Sequence, residues 1–302
     1  MNTITISIIT SLYRCSEFLE QYLFHVSRIT NQAECEVILV HNDPTTEELA
    51  ILDNCVDKPI HLVHLRVPRE GLYTSWNRAI QVARGKYLAI WNVDDIRTPD
   101  SLAAQRDALD NSDGVMCYGD FYGTRRYGIF PDKLYQYQPY AQSRKEALKR
   151  HIIGCFPMWR KDLHDTVGYF DEQFRLVSDY EFQLRVASGY PLVKADALLG
   201  YYLEYVGHKL SSNRKLQQKE RTAVELRYRQ YDRLLIHVLP FISTYRINSI
   251  RNFGQWIDIT AIVPGLRRLK LPEMLSLLRM PFAYTWWFVK RSANAVHHRL
   301  TQ

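Results

Sequence analysis

The sequence has little cysteine, and none of it is paired by spacing. Cys15, Cys35, Cys55, Cys117 and Cys155 are scattered along 302 residues with no CxxC among them. That argues against a disulfide scaffold and against a thiolate zinc site. No apolar run reaches the ~20 residues that a bilayer-spanning helix needs, so an integral membrane protein is not expected. A secretory-type leader is also missing, and the setting expected is reduced and cytoplasmic. There is no internal repeat, no low-complexity segment and no basic recognition helix, so nucleic acid is not an expected partner. The stretch TSLYRCSE after the first apolar run lacks the glycines and lysine of a phosphate-cradling loop, which argues against a nucleotidyltransferase.

What is present is ordinary for a globular chain, with 46% hydrophobic and 24% charged residues. The net charge of +7 is unevenly placed: residues 213–302 carry 16 Lys+Arg against 5 Asp+Glu, and residues 1–212 carry 23 against 27. An acidic body with a basic end suggests a site that handles cations and a surface that meets anions.

Short β-branched runs at 4–9, 36–40, 60–65, 86–91 and 114–118 read as strands buried on both faces. Between them, Phe18, Leu19, Tyr22, Leu23, Val26 and Ile29 make one helical stripe. Leu72, Trp76, Ala79, Ile80 and Ala83 make another, with Gly85 read as its C-cap. A further helix is expected over 180–187. Alternating strands and helices predict an α/β fold, a mostly parallel sheet with helices on both faces. Ligands in such sheets bind at the carboxyl ends of the strands. Residues 11–14, 41–46 and 92–95 all follow strand ends and should share one crevice. In IWNVDDIRTPD, the adjacent Asp94 and Asp95 raise each other's pKa unless a cation meets them, and Mg²⁺ or Mn²⁺ suits such a pair. The bland reading is a helix start, with Pro99 at its first position.

The order of segments adds to this. A strand ending in ITSLYR is followed by VILVHNDPTTEE, EGLYTSWNRAIQVARGKYLAIWNVDD and VGYFDEQFRLVSDYEFQLR. Over roughly residues 4–212 this resembles the inverting glycosyltransferases of family 2, which have the GT-A fold. The resemblance implies a nucleotide-sugar-binding half (1–115) and an acceptor-binding and catalytic half (116–212). Outside it, the change to basic, helix-favouring composition after Ser212 marks a helical C-terminal region (213–302). The resemblance also implies an enzyme moving a sugar from a nucleotide-sugar to an acceptor hydroxyl, in bacterial-type surface glycan assembly. Asp94 and Asp95 fall on its metal-binding motif, with Asp95 the first choice, and Asp179 falls on its general base. Thr10, Ser11, Tyr13, Asn42, Asp43, Gly71, Asn77, Asn92 and Asp94 fall on nucleotide-sugar positions, and His208 on a metal or diphosphate position. The cofactor implied is Mn²⁺ or Mg²⁺. Asn42 and Asn92 stand where the family pattern carries acids, so a non-catalytic binding or scaffold protein of the same fold stays open. Glu181 is a rival base, and Arg185 reads as its surface ion-pair partner. The basic end reads as a helical cap over 213–250. Over 264–302, with Trp286, Trp287, Phe288, Lys290 and Arg291, it reads as a contact with anionic membrane that suits a lipid-linked acceptor and a place at the cytoplasmic face.

Overall fold

A computed structural model describes residues 3–55, 61–139, 146–204, 213–228, 244–263 and 265–268. The chain opens with β1 (Ile6–Leu12), α1 (Ser16–Val26), β2 (Cys35–Asn42), α2 (Thr46–Asn54), β3 (Leu62–Val67), α3 (Leu72–Val82) and β4 (Tyr87–Ile90). β5 (Ile96–Arg97), α4 (Ser101–Asp110), β6 (Met116–Thr124), β7 (Lys133–Tyr135), β8 (Met158–Arg160) and α5 (Leu163–Val167) follow. Then come α6 (Ser178–Ala187), β9 (Leu192–Leu203), α7 (Arg214–Arg227), the hairpin β10 (Ser249–Asn252) and β11 (Gln255–Asp258), and a last turn, α8 (Ile259–Ile262).

The main sheet runs β3-β2-β1-β4-β8-β6-β9-β5, with β7 pairing β6. β1 pairs parallel with both β2 and β4, and β2 with β3; β8 enters antiparallel between β4 and β6. Side-chain alternation explains the unbroken apolar runs. Ile8, Val37 and Leu39 join the core under α1, while Ile9, Ile38 and Val40 join the core under α3. Both faces of the sheet are covered, as the sequence predicts. Among the described residues no helix is long and apolar enough to cross a membrane.

Two expectations are corrected. α3 ends at Ala83 in extended backbone, and Gly85 is not its C-cap. Gly85 is there for close approach: a Cβ would sit 2.6 Å from the Ser7 backbone nitrogen. Ser101, not Pro99, is the first residue of α4, whose N-cap is Asp100. Pro99 sits one residue before the cap, where its fixed φ still directs the chain into the turn.

Candidate active site at the strand ends

The ends of β1, β2 and β4 open on one cavity of about 750 Å³, within the range of small-molecule sites. Ser11, Tyr13, Asn42, Asn92, Asp94 and Asp179 all line it. The crevice expected from strand order is therefore present, and α6 brings the distant Asp179 to it.

The two adjacent aspartates part company here. Asp94 lines the cavity, whereas Asp95 is 1% exposed and does not. Asp95 Oδ1 accepts the Leu203 backbone N–H at 3.1 Å, and Oδ2 accepts the Asn92 amide at 3.0 Å. The buried Arg97 adds a fixed positive charge that acts on Asp95. Burial pulls the Arg97 guanidinium down to about 10, opposed by Cys155 and Asp95, so it stays charged at neutral pH. Its two terminal nitrogens donate to Gln105 Oε1 at 2.7 Å and the Ile90 carbonyl at 2.8 Å. Part of the counter-charge for the acidic pair is thus built into the protein. Among the described residues no group of three or more His, Cys, Asp or Glu is placed to hold a metal ion. His208 lies outside the described residues.

Asp179 stands in the first turn of α6, where the helix N-terminus favours a carboxylate. Its Oδ1 accepts the Tyr73 hydroxyl at 3.0 Å and the Tyr180 backbone N–H at 2.8 Å. Its Oδ2 faces His151 Nε2 at 3.6 Å. Burial, with the Asp179 charge beside it, pushes the Tyr73 phenol well above its ordinary value, so it stays a proton donor to the carboxylate. The sequence pointed to neither Tyr73 nor His151. Tyr73 lay in a helical segment read as core, and His151 has no motif around it. Arg69, Arg175, Gln217 and Arg221 also line the cavity, the last two from α7.

At the other end, Asn42 is buried and held on both sides. Its Nδ2 donates to Ser75 Oγ at 3.1 Å and Ser11 Oγ at 3.3 Å, while its Oδ1 accepts the Glu70 N–H at 2.9 Å. The half-exposed Tyr13 ring carries Arg69 over it at 3.2 Å. Arg14 (φ 51°) and Asp43 (φ 40°) hold left-handed backbone in the two strand-end loops, an unusual state for residues other than glycine. Glu48 ties these loops together, accepting the Cys15 N–H at 2.7 Å and the Thr45 N–H at 2.9 Å. With Thr45 it forms a capping box at α2, which the Thr-x-x-Glu spacing would have revealed.

Other expected site residues stand elsewhere. Thr10 does not line the cavity; its hydroxyl meets the Tyr22 hydroxyl at 2.5 Å and the Trp91 carbonyl at 2.7 Å inside the core. Asn77 is fully buried and clamps α3 to Phe170, accepting its N–H and donating to its carbonyl, both at 2.9 Å. Asp43 and Gly71 flank the cavity without lining it; Asp43 accepts the Arg69 N–H at 3.2 Å. The Glu181–Arg185 pair is not at the surface. The two meet at 2.6 Å with both side chains fully buried, and Arg227 adds a second contact to Glu181 at 2.9 Å.

Residues 7–168 match the family described as Glycosyl transferase family 2. An uncharacterized glycosyltransferase of Methanocaldococcus jannaschii is 24% identical over 66% of this chain and 70% of its own length. A putative teichuronic acid biosynthesis glycosyltransferase of Bacillus subtilis, TuaG, is 26% identical over 50% of this chain, which spans 59% of that relative. Among solved structures, TarS of S. aureus in complex with UDP-GlcNAc superposes with a TM-score of 0.59 at 16% identity, covering 79% of this chain and 70% of that one. With more than half the sequence matched and the sheet of such enzymes reproduced, the chain belongs to glycosyl transferase family 2 and has the GT-A fold.

Proposed function

We propose that this protein is a metal-dependent inverting glycosyltransferase that moves a sugar from a nucleotide-sugar to an acceptor hydroxyl in surface glycan assembly. The observation that carries this reading is the pair of carboxylates, Asp94 and Asp179, lining one cavity at the carboxyl ends of parallel strands. A relative named for teichuronic acid biosynthesis and a similar fold bound to UDP-GlcNAc support the substrate class. Ser11, Tyr13, Asn42 and Asn92 make the donor side. Asn42 is fixed by its own hydrogen bonds, so a base arriving beside it meets a pre-set amide rather than a mobile one.

Asp179 takes the proton. Its Oδ1 is pinned by Tyr73 and the Tyr180 N–H, and Oδ2, which faces His151 Nε2 at 3.6 Å, is the oxygen without those donors and the one to take the proton. As that oxygen gives up its proton and attacks the anomeric carbon, the bond to the diphosphate oxygen breaks and its electron pair leaves with the diphosphate. One in-line displacement inverts the anomeric centre. Asp94 offers a hard oxygen ligand at the cavity, which fits Mn²⁺ or Mg²⁺ held by a single carboxylate together with substrate phosphates. Such an ion would supply positive charge to the departing diphosphate. Asp95, engaged with Leu203 and Asn92, supports this loop from behind. A lipid-linked acceptor at a cytoplasmic membrane face fits the basic C-terminal region; its Trp286, Trp287 and Phe288 lie outside the described residues.

Thermal shift against a panel of nucleotide-sugars with Mn²⁺ tests the reading. One donor should raise the melting temperature in Mn²⁺, and Asp94→Ala should remove the metal-dependent part. No shift with any donor would overturn it.

A further inference from the structure

A second apolar feature lies away from the strand ends. The loop between β6 and β7 leaves Ile129 61% and Phe130 48% exposed, and Leu134 on β7 is 44% exposed. Ile129 and Phe130 line a groove of about 800 Å³ together with Phe24 on α1, which is 43% exposed, and Tyr127 and Ile96. Large apolar side chains gathered on a surface mark a docking site more often than chance placement. Cations lie over rings at this surface, while the polar lining of the groove itself is Gln21, His25 and Asn54 with one acid. Arg126 lies over the Phe130 ring at 3.8 Å, Lys133 over Tyr135 at 4.4 Å and Arg28 over Phe24 at 3.6 Å. Arg125 is offset by Asp132 at 2.7 Å, and Glu20 is the acid in the groove lining. Apolar tips collared by Arg and Lys match the layered chemistry of an anionic bilayer, with acyl chains beneath phosphate headgroups.

We propose that the β6–β7 loop, with Phe24 of α1, is a surface that docks on anionic lipid. The loop also borders the active cavity. Tyr127 packs on Phe18 at 5.1 Å, and Phe18 and Tyr135 both line the cavity. A bilayer seated on the loop tip would bring headgroups toward the cavity mouth. The proposal concerns binding alone and holds whatever reaction the cavity performs.

The test is co-sedimentation of the full chain with vesicles of phosphatidylcholine alone or mixed with phosphatidylglycerol. The wild type should partition onto the mixed vesicles and much less onto the neutral ones. Ile129→Ser with Phe130→Ser should weaken partition about tenfold or more, from lost apolar burial. Arg126→Gln should weaken it about fivefold, the worth of one cation near an anionic surface. Neither change touches the cavity lining, so nucleotide-sugar thermal shifts should stay at wild-type size and report an intact fold. Wild-type partition of the double variant would overturn the proposal, placing lipid contact in the basic tail. So would failure of the wild type to bind either vesicle.

Discussion

Asp94 and Asp95 are chemically identical neighbours, and burial separates their work. The carboxylate at 95 is bonded to the Leu203 N–H and the Asn92 amide, near a buried guanidinium, while that at 94 lines the cavity. Asp94→Asn is therefore expected to abolish metal-dependent donor binding. Asp95→Asn should lower stability by about 1–3 kcal/mol, because it leaves buried Arg97 without its nearby charge. Paired denaturation and donor thermal-shift curves on the two variants check both halves. Tyr73→Phe removes one of the two donors on Asp179 Oδ1 and should lower kcat about tenfold with KM for donor little changed. From the sequence the adjacent acids are expected to need a cation, and the family resemblance points to Asp179, which lines the cavity. The sequence also holds a sign of the internal cation, since Arg97 is only two residues from Asp95 in the chain.

At the level of elements, the site loops hang from buried polar ties. Burial works to raise the Glu48 carboxyl, but the N–H groups of Cys15 and Thr45, the Thr45 hydroxyl and His41 outweigh it and hold Glu48 at about 2. A folded value below the ordinary 4.5 means ionised Glu48 stabilises the protein at neutral pH. That contribution, about 3 kcal/mol, fades as pH falls from about 5 toward 2. Glu48→Gln should flatten this part of the acid-unfolding curve measured by circular dichroism. The other tie joins α6 to α7: Arg227 meets Asp171 and Glu181, both at 2.9 Å, and the Tyr228 hydroxyl donates to Glu181 at 2.8 Å. Arg227→Met should cost about 3–5 kcal/mol, since it leaves buried carboxylates unpaired, and its denaturation midpoint reads the loss. A Glu and an Arg four apart on a helix read as a surface pair because most such pairs are. Their burial depends on Arg227, some forty residues later, which no local pattern announces. The same holds for Gly85, whose reason is the Ser7 backbone on β1.

Across the whole molecule, the alternating runs announced the doubly covered sheet and the shared crevice at its strand ends, because each run is local and nearly wholly apolar. The inserted antiparallel β8 and the long β9 were not announced, being short or mixed in character and defined by partners far away in sequence. The family match ends at residue 168, yet the cavity draws Asp179 from α6 and Gln217 and Arg221 from α7. The central claim is that Asp179 is the base of a sugar-transfer site. It is tested most directly by timing nucleoside diphosphate release from the donor that binds, for wild type and Asp179→Asn side by side. The account predicts donor binding of equal strength and turnover slower by about 10²–10⁴-fold in the variant. Turnover at the wild-type rate in Asp179→Asn would contradict it.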